Sequence, residues 1–187
     1  LPHDETLALM GDRASSFIEC AIDFAEAGFY AHAVKTLQLC RAASPMLKYY
    51  EAFYLEQSGN SSDASNALTE AAARSPRCCF PNRLEDAKVL SFALNRNQAD
   101  AHAPYYLGCL FYDKRRYEDA QRLWELSAQL DASFPTVWRN LSLVYYNQCG
   151  EPQKAREALE RAFALDVADA RVLLELDQLY KKLGVAP

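Results

Sequence analysis

The chain has 187 residues, half of them apolar, which excludes a disordered tail and supplies core material for about one domain. Alanine (30) and leucine (25) far outnumber valine (7) and isoleucine (2), so an all-α fold is expected and a many-stranded sandwich is not. The net charge of −5, with its bases scattered, leaves no basic face on which nucleic acid could release counterions.

In chain order, residues 1–13 are expected to form a lead-in with at most one short helical turn. The start at Leu1 rather than Met suggests a piece of a longer protein or a processed product. Two degenerate helical hairpins are expected over 14–76. The first runs Phe17-x-x-Cys20-Ala21-x-x-Phe24, then Gly28, Tyr30, Ala33-x-x-x-Leu37, Cys40 and Pro45. The second carries Ala52, Leu55, Gly59, Ala64-x-x-x-Leu68, Ala71 and Pro76, but has Lys48 and Glu51 where large apolar residues belong. Over 77–100 the pattern predicts one extra helix, capped by Asn82 after Pro81, with Leu84, Ala87, Leu90 and Leu94 along one side.

From Ala101 the spacing sharpens. A hairpin over 101–134 runs Pro104-x-x-Leu107-Gly108-x-x-Phe111, Tyr117, Ala120-x-x-x-Trp124, Leu130-Asp131. Another over 135–169 runs Trp138-x-x-Leu141-Ser142-x-x-Tyr145, Gly150, Ala155-x-x-x-Leu159, Ala162, Leu165. A terminal half-repeat over 170–187 carries Leu173-x-x-Leu176-Asp177-x-x-Tyr180 and Gly184, so successive starts lie 34 and 35 residues apart. The count is about ten helices in one continuous domain.

A small residue fits where the two helices of a hairpin cross, which assigns Ala21, Gly108 and Ser142 to the crossings, facing Ala33, Ala120 and Ala155. Phe111, Tyr145 and Trp124 are then expected to fill the wider gaps towards the next repeat. Each hairpin buries one face alone and needs a neighbour for the other, so stacking is compulsory.

These residues resemble the tetratricopeptide repeat, a helix-turn-helix unit of 34 residues with Leu-Gly and Tyr on its first helix and Ala-x-x-x-Phe on its second. The resemblance implies an α-solenoid with a right-handed superhelix. The stretches from Ala103 to Ala120, Phe134 to Gly150 and Leu173 to Gly184 are also similar to the C-terminal helical region of large uncharacterised bacterial proteins. The preceding part of those proteins is β-rich and resembles carbohydrate-active enzymes.

In tetratricopeptide arrays the first helix of each hairpin lines the concave side at five positions. Carried over, these are His102, Tyr105, Cys109, Tyr112 and Asp113; Thr136, Arg139, Leu143, Tyr146 and Asn147; and Arg171, Leu174, Gln178, Lys181 and Lys182. Tyrosines offer contact area at small entropic cost, and arginines hold carboxylates bidentately. The alternative for Tyr105, Tyr112 and Tyr146 is packing between repeats or against a missing domain. The Lys/Asn clamp with which one sub-type holds chaperone carboxylates has Tyr105, Cys109, Arg139 and Leu143 in its place, so a chaperone adaptor is not expected.

Catalytic chemistry has little to stand on. His3, His32 and His102 are far apart in sequence, with His32 expected on an interhelical turn and His102 near the groove. The six glycines form no phosphate loop, and no cysteine pair has C-x-x-C spacing. The six cysteines read as reduced and mostly buried, with Cys78-Cys79 as ordinary thiols beside a turn. Lys114-Arg115-Arg116 reads as a solvated turn. Glu118-Asp119 and Glu157-x-x-Glu160 read as solvated faces paired with Arg122 and Arg161.

The expected function is therefore a non-catalytic protein-interaction scaffold without cofactor or metal. Its groove would take a peptide, a protein segment or the missing N-terminal domain of the same chain, and neither nucleic acid nor membrane. An accessory module of a carbohydrate-active enzyme, positioning domains or dimerising, is the alternative. With no apolar run of about 18 residues and no signal peptide, the expected location is the cytoplasm.

Overall fold

A computed structural model describes residues 10–184, and all regular structure among them is helical. His3 and residues 1–9 of the expected lead-in lie outside the described residues. Ten α-helices follow one another among the described residues, as the repeat count anticipates. The chain divides into two compact units, Leu1–Asp100 and Ala101–Pro187.

In the N-terminal unit, α1 (Ala14–Glu26) and α2 (Tyr30–Leu39) form one hairpin, and α3 (Pro45–Gln57) and α4 (Ser61–Ala73) another; α5 (Leu84–Arg96) packs on α3. The anticipated small pair Ala21 and Ala33 is fully buried. Helix α3 is the middle of this unit, with nine of its residues buried, so it shows little amphipathic contrast. Lys48 and Glu51, out of place in the repeat pattern, satisfy each other at 2.8 Å. Lys48 also reaches Glu70 at 2.8 Å, and the Gln38 amide donates to Glu51 at 2.7 Å.

Helix α5 turns a different face inward from the one its leucines suggest. Asp86, Val89, Leu90 and Ala93 are buried, whereas Leu84 is 77% exposed. The cause is Asp86. Its carboxylate accepts the backbone N–H groups of Asn82 and Arg83 at 2.8 and 3.0 Å and the buried Tyr50 hydroxyl at 2.7 Å. The start of the helix is therefore capped from Asp86, not by the Asn82 side chain.

In the C-terminal unit, α6 (His102–Asp113) pairs with α7 (Tyr117–Leu130), α8 (Pro135–Val144) pairs with α9 (Pro152–Leu165), and α10 (Ala170–Leu183) packs on α9. Ala155, Leu159 and Ala162 of α9 meet Val172, Leu176 and Leu179 of α10 in a buried cluster flanked by Trp138, Tyr145 and Tyr146. Trp124, expected to fill the gap towards the next repeat, instead lies over Gly108 inside its own hairpin. A Cβ at Gly108 would sit 2.6 Å from the indole, whose N–H donates to the Tyr105 carbonyl at 3.2 Å.

The hairpin turns place Gly28, Gly59 and Gly150 in the left-handed region, which glycine enters without strain, and Gly184 adopts it at the end of α10; Arg115 stands there in the α6–α7 turn at φ 61°. The single-residue difference between the 34- and 35-residue spacings also finds its place here. Gly108 lies seven residues before Arg115, whereas its counterpart Ser142 lies eight before Gly150. The extra residue is absorbed where α8 loosens into a π-turn, Tyr145–Cys149.

Candidate functional site

The repeat geometry brings part of the expected groove together in the C-terminal unit. Leu143 at the end of α8 and Tyr146 and Asn147 in the π-turn face Gln178 and Lys182 of α10 across a recess of about 160 Å³. Ser142, Leu159, Glu175 and Leu179 complete the lining. Gln178 and Lys182 share a face because they are four residues apart on one helix. Tyr146 and Asn147 reach the recess from the loosened turn that takes up the extra residue.

The recess has an apolar floor and a polar rim. Leu159 and Leu179 are buried beneath it, and the amides of Asn147 and Gln178 line it. At one end Arg139 holds Glu175 through two parallel bonds of 2.8 and 2.5 Å, with both side chains largely covered. This bidentate pair fixes α8 against α10. At the other end the Lys182 ammonium lies 5.2 Å from the Tyr146 ring centre and makes no ion pair among the described residues. A metabolite-sized ligand needs roughly 300 Å³ or more, so this recess suits one side chain of a longer ligand.

The other sequence-derived positions lie elsewhere. Tyr105 is buried edge-on to Phe134 at 4.7 Å, and His102 meets the same ring at 5.2 Å. Cys109 accepts the Asn140 amide at 3.5 Å, and burial pushes its thiol up to about 11, against the opposing effect of contacts with Tyr105, Trp124 and Asn140. Tyr112 rests on Tyr117 and Trp124 at 5.1 and 5.3 Å. Asp113 is exposed and pairs with Lys114. Thr136, Arg171, Leu174 and Lys181 are exposed outside the recess, Lys181 being held by Asp177 at 2.6 Å.

Several smaller expectations are adjusted. His32 lies in the first turn of α2, between the rings of Phe24 and Phe29, rather than on the turn. Arg161 covers the Trp138 ring at 4.1 Å, and it is Arg156 that approaches Glu160; Arg122 does pair with Glu118 and Asp119. Of the six cysteines, expected to be mostly buried, only Cys79 is. Among the described residues no group of His, Cys, Asp or Glu is arranged to hold a metal, and no helix is long and apolar enough to cross a membrane.

Sequence spacing missed Glu175, because its role depends on an arginine 36 positions earlier. It also missed a larger recess in the N-terminal unit, between the ends of α1 and α5 and the middle of α3. The signal for it was the aromatic density of Tyr50, Phe53 and Tyr54.

No protein-family model matches the chain. Among solved structures, a MamA RS-1 double mutant is 19% identical, covering 94% of this chain and 87% of that one, with a TM-score of 0.50. The first TPR of Spaghetti (RPAP3), bound to the HSP90 peptide SRMEEVD, is 14% identical, covering 71% of this chain and 93% of that one, also with a TM-score of 0.50. PilF of Pseudomonas aeruginosa is 20% identical over 90% of this chain and 68% of its own, with a TM-score of 0.48. At such identities the likeness is one of fold, stacked helical hairpins.

Proposed function

We propose that this chain, whose fold is that of tetratricopeptide-repeat arrays, is a non-catalytic interaction scaffold whose α8–α10 recess seats a peptide or protein segment, from a partner or from another domain of its own polypeptide. The observation that carries the reading is the convergence of Leu143, Tyr146, Asn147, Gln178 and Lys182 on one small recess with an apolar floor. The floor takes an apolar side chain. The two amides are suited to the backbone of an extended segment, and Lys182, a rim cation with no ion pair among the described residues, favours a neighbouring carboxylate. A preformed helical surface limits the ordering cost of binding. The Spaghetti domain, of like fold, is bound to a peptide ending in Glu-Glu-Val-Asp, which supports an extended acidic ligand for this architecture.

The test is to select peptides from a random library on the full chain and measure their affinity for Leu143→Glu and Lys182→Glu. Each variant is expected to weaken selected peptides by about tenfold or more with an unchanged far-UV circular dichroism spectrum. Selected peptides that bind both variants as well as the parent would place recognition elsewhere.

A further inference from the structure

The recess of the N-terminal unit is the larger of the two, about 470 Å³, and it is chemically unlike the first. Ile22, Ala25 and Val89 form its apolar parts, and Tyr30, Phe53 and Tyr54 supply aromatic walls. Tyr30 and Tyr54 stack with ring centres 6.3 Å apart, and Phe53 meets Tyr54 edge-on at 5.7 Å. Two carboxylates flank these rings, Glu26 at the last residue of α1 and Glu85 in the first turn of α5.

Three features of this recess leave it open to a ligand. First, the Tyr54 hydroxyl makes no hydrogen bond among the described residues and, on a side chain only 5% exposed, keeps its oxygen open to solvent at the recess. Tyr50, one turn earlier, gives its hydroxyl to Asp86. Second, Glu26 ends a helix, where the macrodipole favours a cation, and neither it nor Glu85 forms an ion pair among the described residues. Third, Leu84 is 77% exposed at the rim. Burial, and then the charges of Glu85 and Glu26, hold the Tyr54 hydroxyl well above the usual phenol range.

Aromatic faces flanked by carboxylates attract a cation twice, through the ring quadrupole and through charge. The recess already shows the first of these preferences, because Lys88 lies 5.2 Å from the Phe53 ring centre. Counting Lys88 against Glu26 and Glu85, the lining retains net negative charge. We propose that this recess is a second binding site, which takes the guanidinium of an arginine side chain from an extended peptide, against the aromatic wall of Tyr30 and Tyr54 and beside Glu26 and Glu85, with Leu84 covering an adjacent apolar residue. The site lies in a different unit from the α8–α10 recess and stands or falls independently of it.

The experiment uses the full chain, isotopically labelled for NMR, and the peptide acetyl-Ala-Leu-Arg-Leu-Ala-amide. Two relatives carry citrulline, which keeps the shape and loses the charge, or glutamate in place of the arginine. The arginine peptide is expected to shift resonances of Tyr30, Tyr54, Glu85 and Lys88 saturably, and to leave Leu143 and Gln178 unmoved. Citrulline, or the Glu26→Gln/Glu85→Gln double variant, is expected to weaken binding by about tenfold or more, and added salt to weaken the arginine peptide alone. Both glutamates are exposed, so the double variant is expected to keep its fold; Tyr54→Phe, which removes only the hydroxyl, provides a second reading in the same direction. Equal binding of citrulline, preference for glutamate, or no shift at these residues at millimolar peptide would each overturn the proposal. So would shifts that depend on protein concentration without peptide, which would mean that a second copy fills the recess.

Discussion

Replacing Gly108 with alanine sets two effects of opposite sign against each other. In an exposed helix the change is stabilising by about 0.5–1 kcal/mol, because glycine loses more backbone freedom on folding. Here the added methyl would sit 2.6 Å from both Cδ1 and Nε1 of Trp124, a side chain that is 2% exposed and cannot swing into solvent. Overpacking costs about 1–3 kcal/mol, and an indole displaced from the Tyr105 carbonyl loses roughly 1 kcal/mol more. Steric cost wins, and Gly108→Ala is expected to destabilise by about 1–3 kcal/mol. Urea denaturation followed by tryptophan fluorescence reads this directly, since the two tryptophans, Trp124 and Trp138, both lie in the C-terminal unit. In a Trp124→Leu background the same substitution is expected to be neutral or stabilising, a departure from additivity that isolates the contact. A Gly108→Ala variant that unfolds at higher urea than the parent would refute the reasoning.

Arg115 holds a left-handed backbone that its three glycine counterparts in the other hairpin turns enter freely, so Arg115→Gly is expected to raise stability by about 0.5–1 kcal/mol. A thermal midpoint higher by a few degrees would register it. The Cys109 thiol stays protonated in the native state up to about 11, whereas in the unfolded chain it ionises near 9.0. Above the lower value the native state binds the extra proton, so stability falls as pH rises from about 9 to 11. Denaturation midpoints across that range should slope downwards, and Cys109→Ala should flatten part of the slope. Deleting Gln148 takes one residue out of the π-turn and restores the spacing of the other hairpins. Circular dichroism should stay helical, while peptides selected on the α8–α10 recess should bind less well because Tyr146 and Asn147 are re-aimed.

The C-terminal unit was readable because its constraints are local. The small residues Gly108, Ser142 and Ala155 are buried as the pattern anticipates, and the turns recur at a near-constant interval. The convergence of Leu143, Tyr146, Gln178 and Lys182 follows from stacking copies of one unit at that interval. The N-terminal unit resisted for the opposite reason. Helix α3 is covered on most sides, so its polar residues are satisfied by side chains from α2 and α4 rather than by solvent, and no stripe survives to be read. The buried face of α5 is set by the bond between Asp86 and Tyr50, 36 positions apart, which no local pattern contains. Trp124 was misplaced because spacing gives a residue's helix face but not whether a bulky ring leans into its own hairpin or out of it.

Resonance mapping of the full chain with a library-selected peptide tests the interaction surface most directly. The account predicts saturable shifts centred on Leu143, Tyr146, Asn147, Gln178 and Lys182, lost in Leu143→Glu. Shifts confined to the exposed side of α7, with those five residues unmoved, would contradict it.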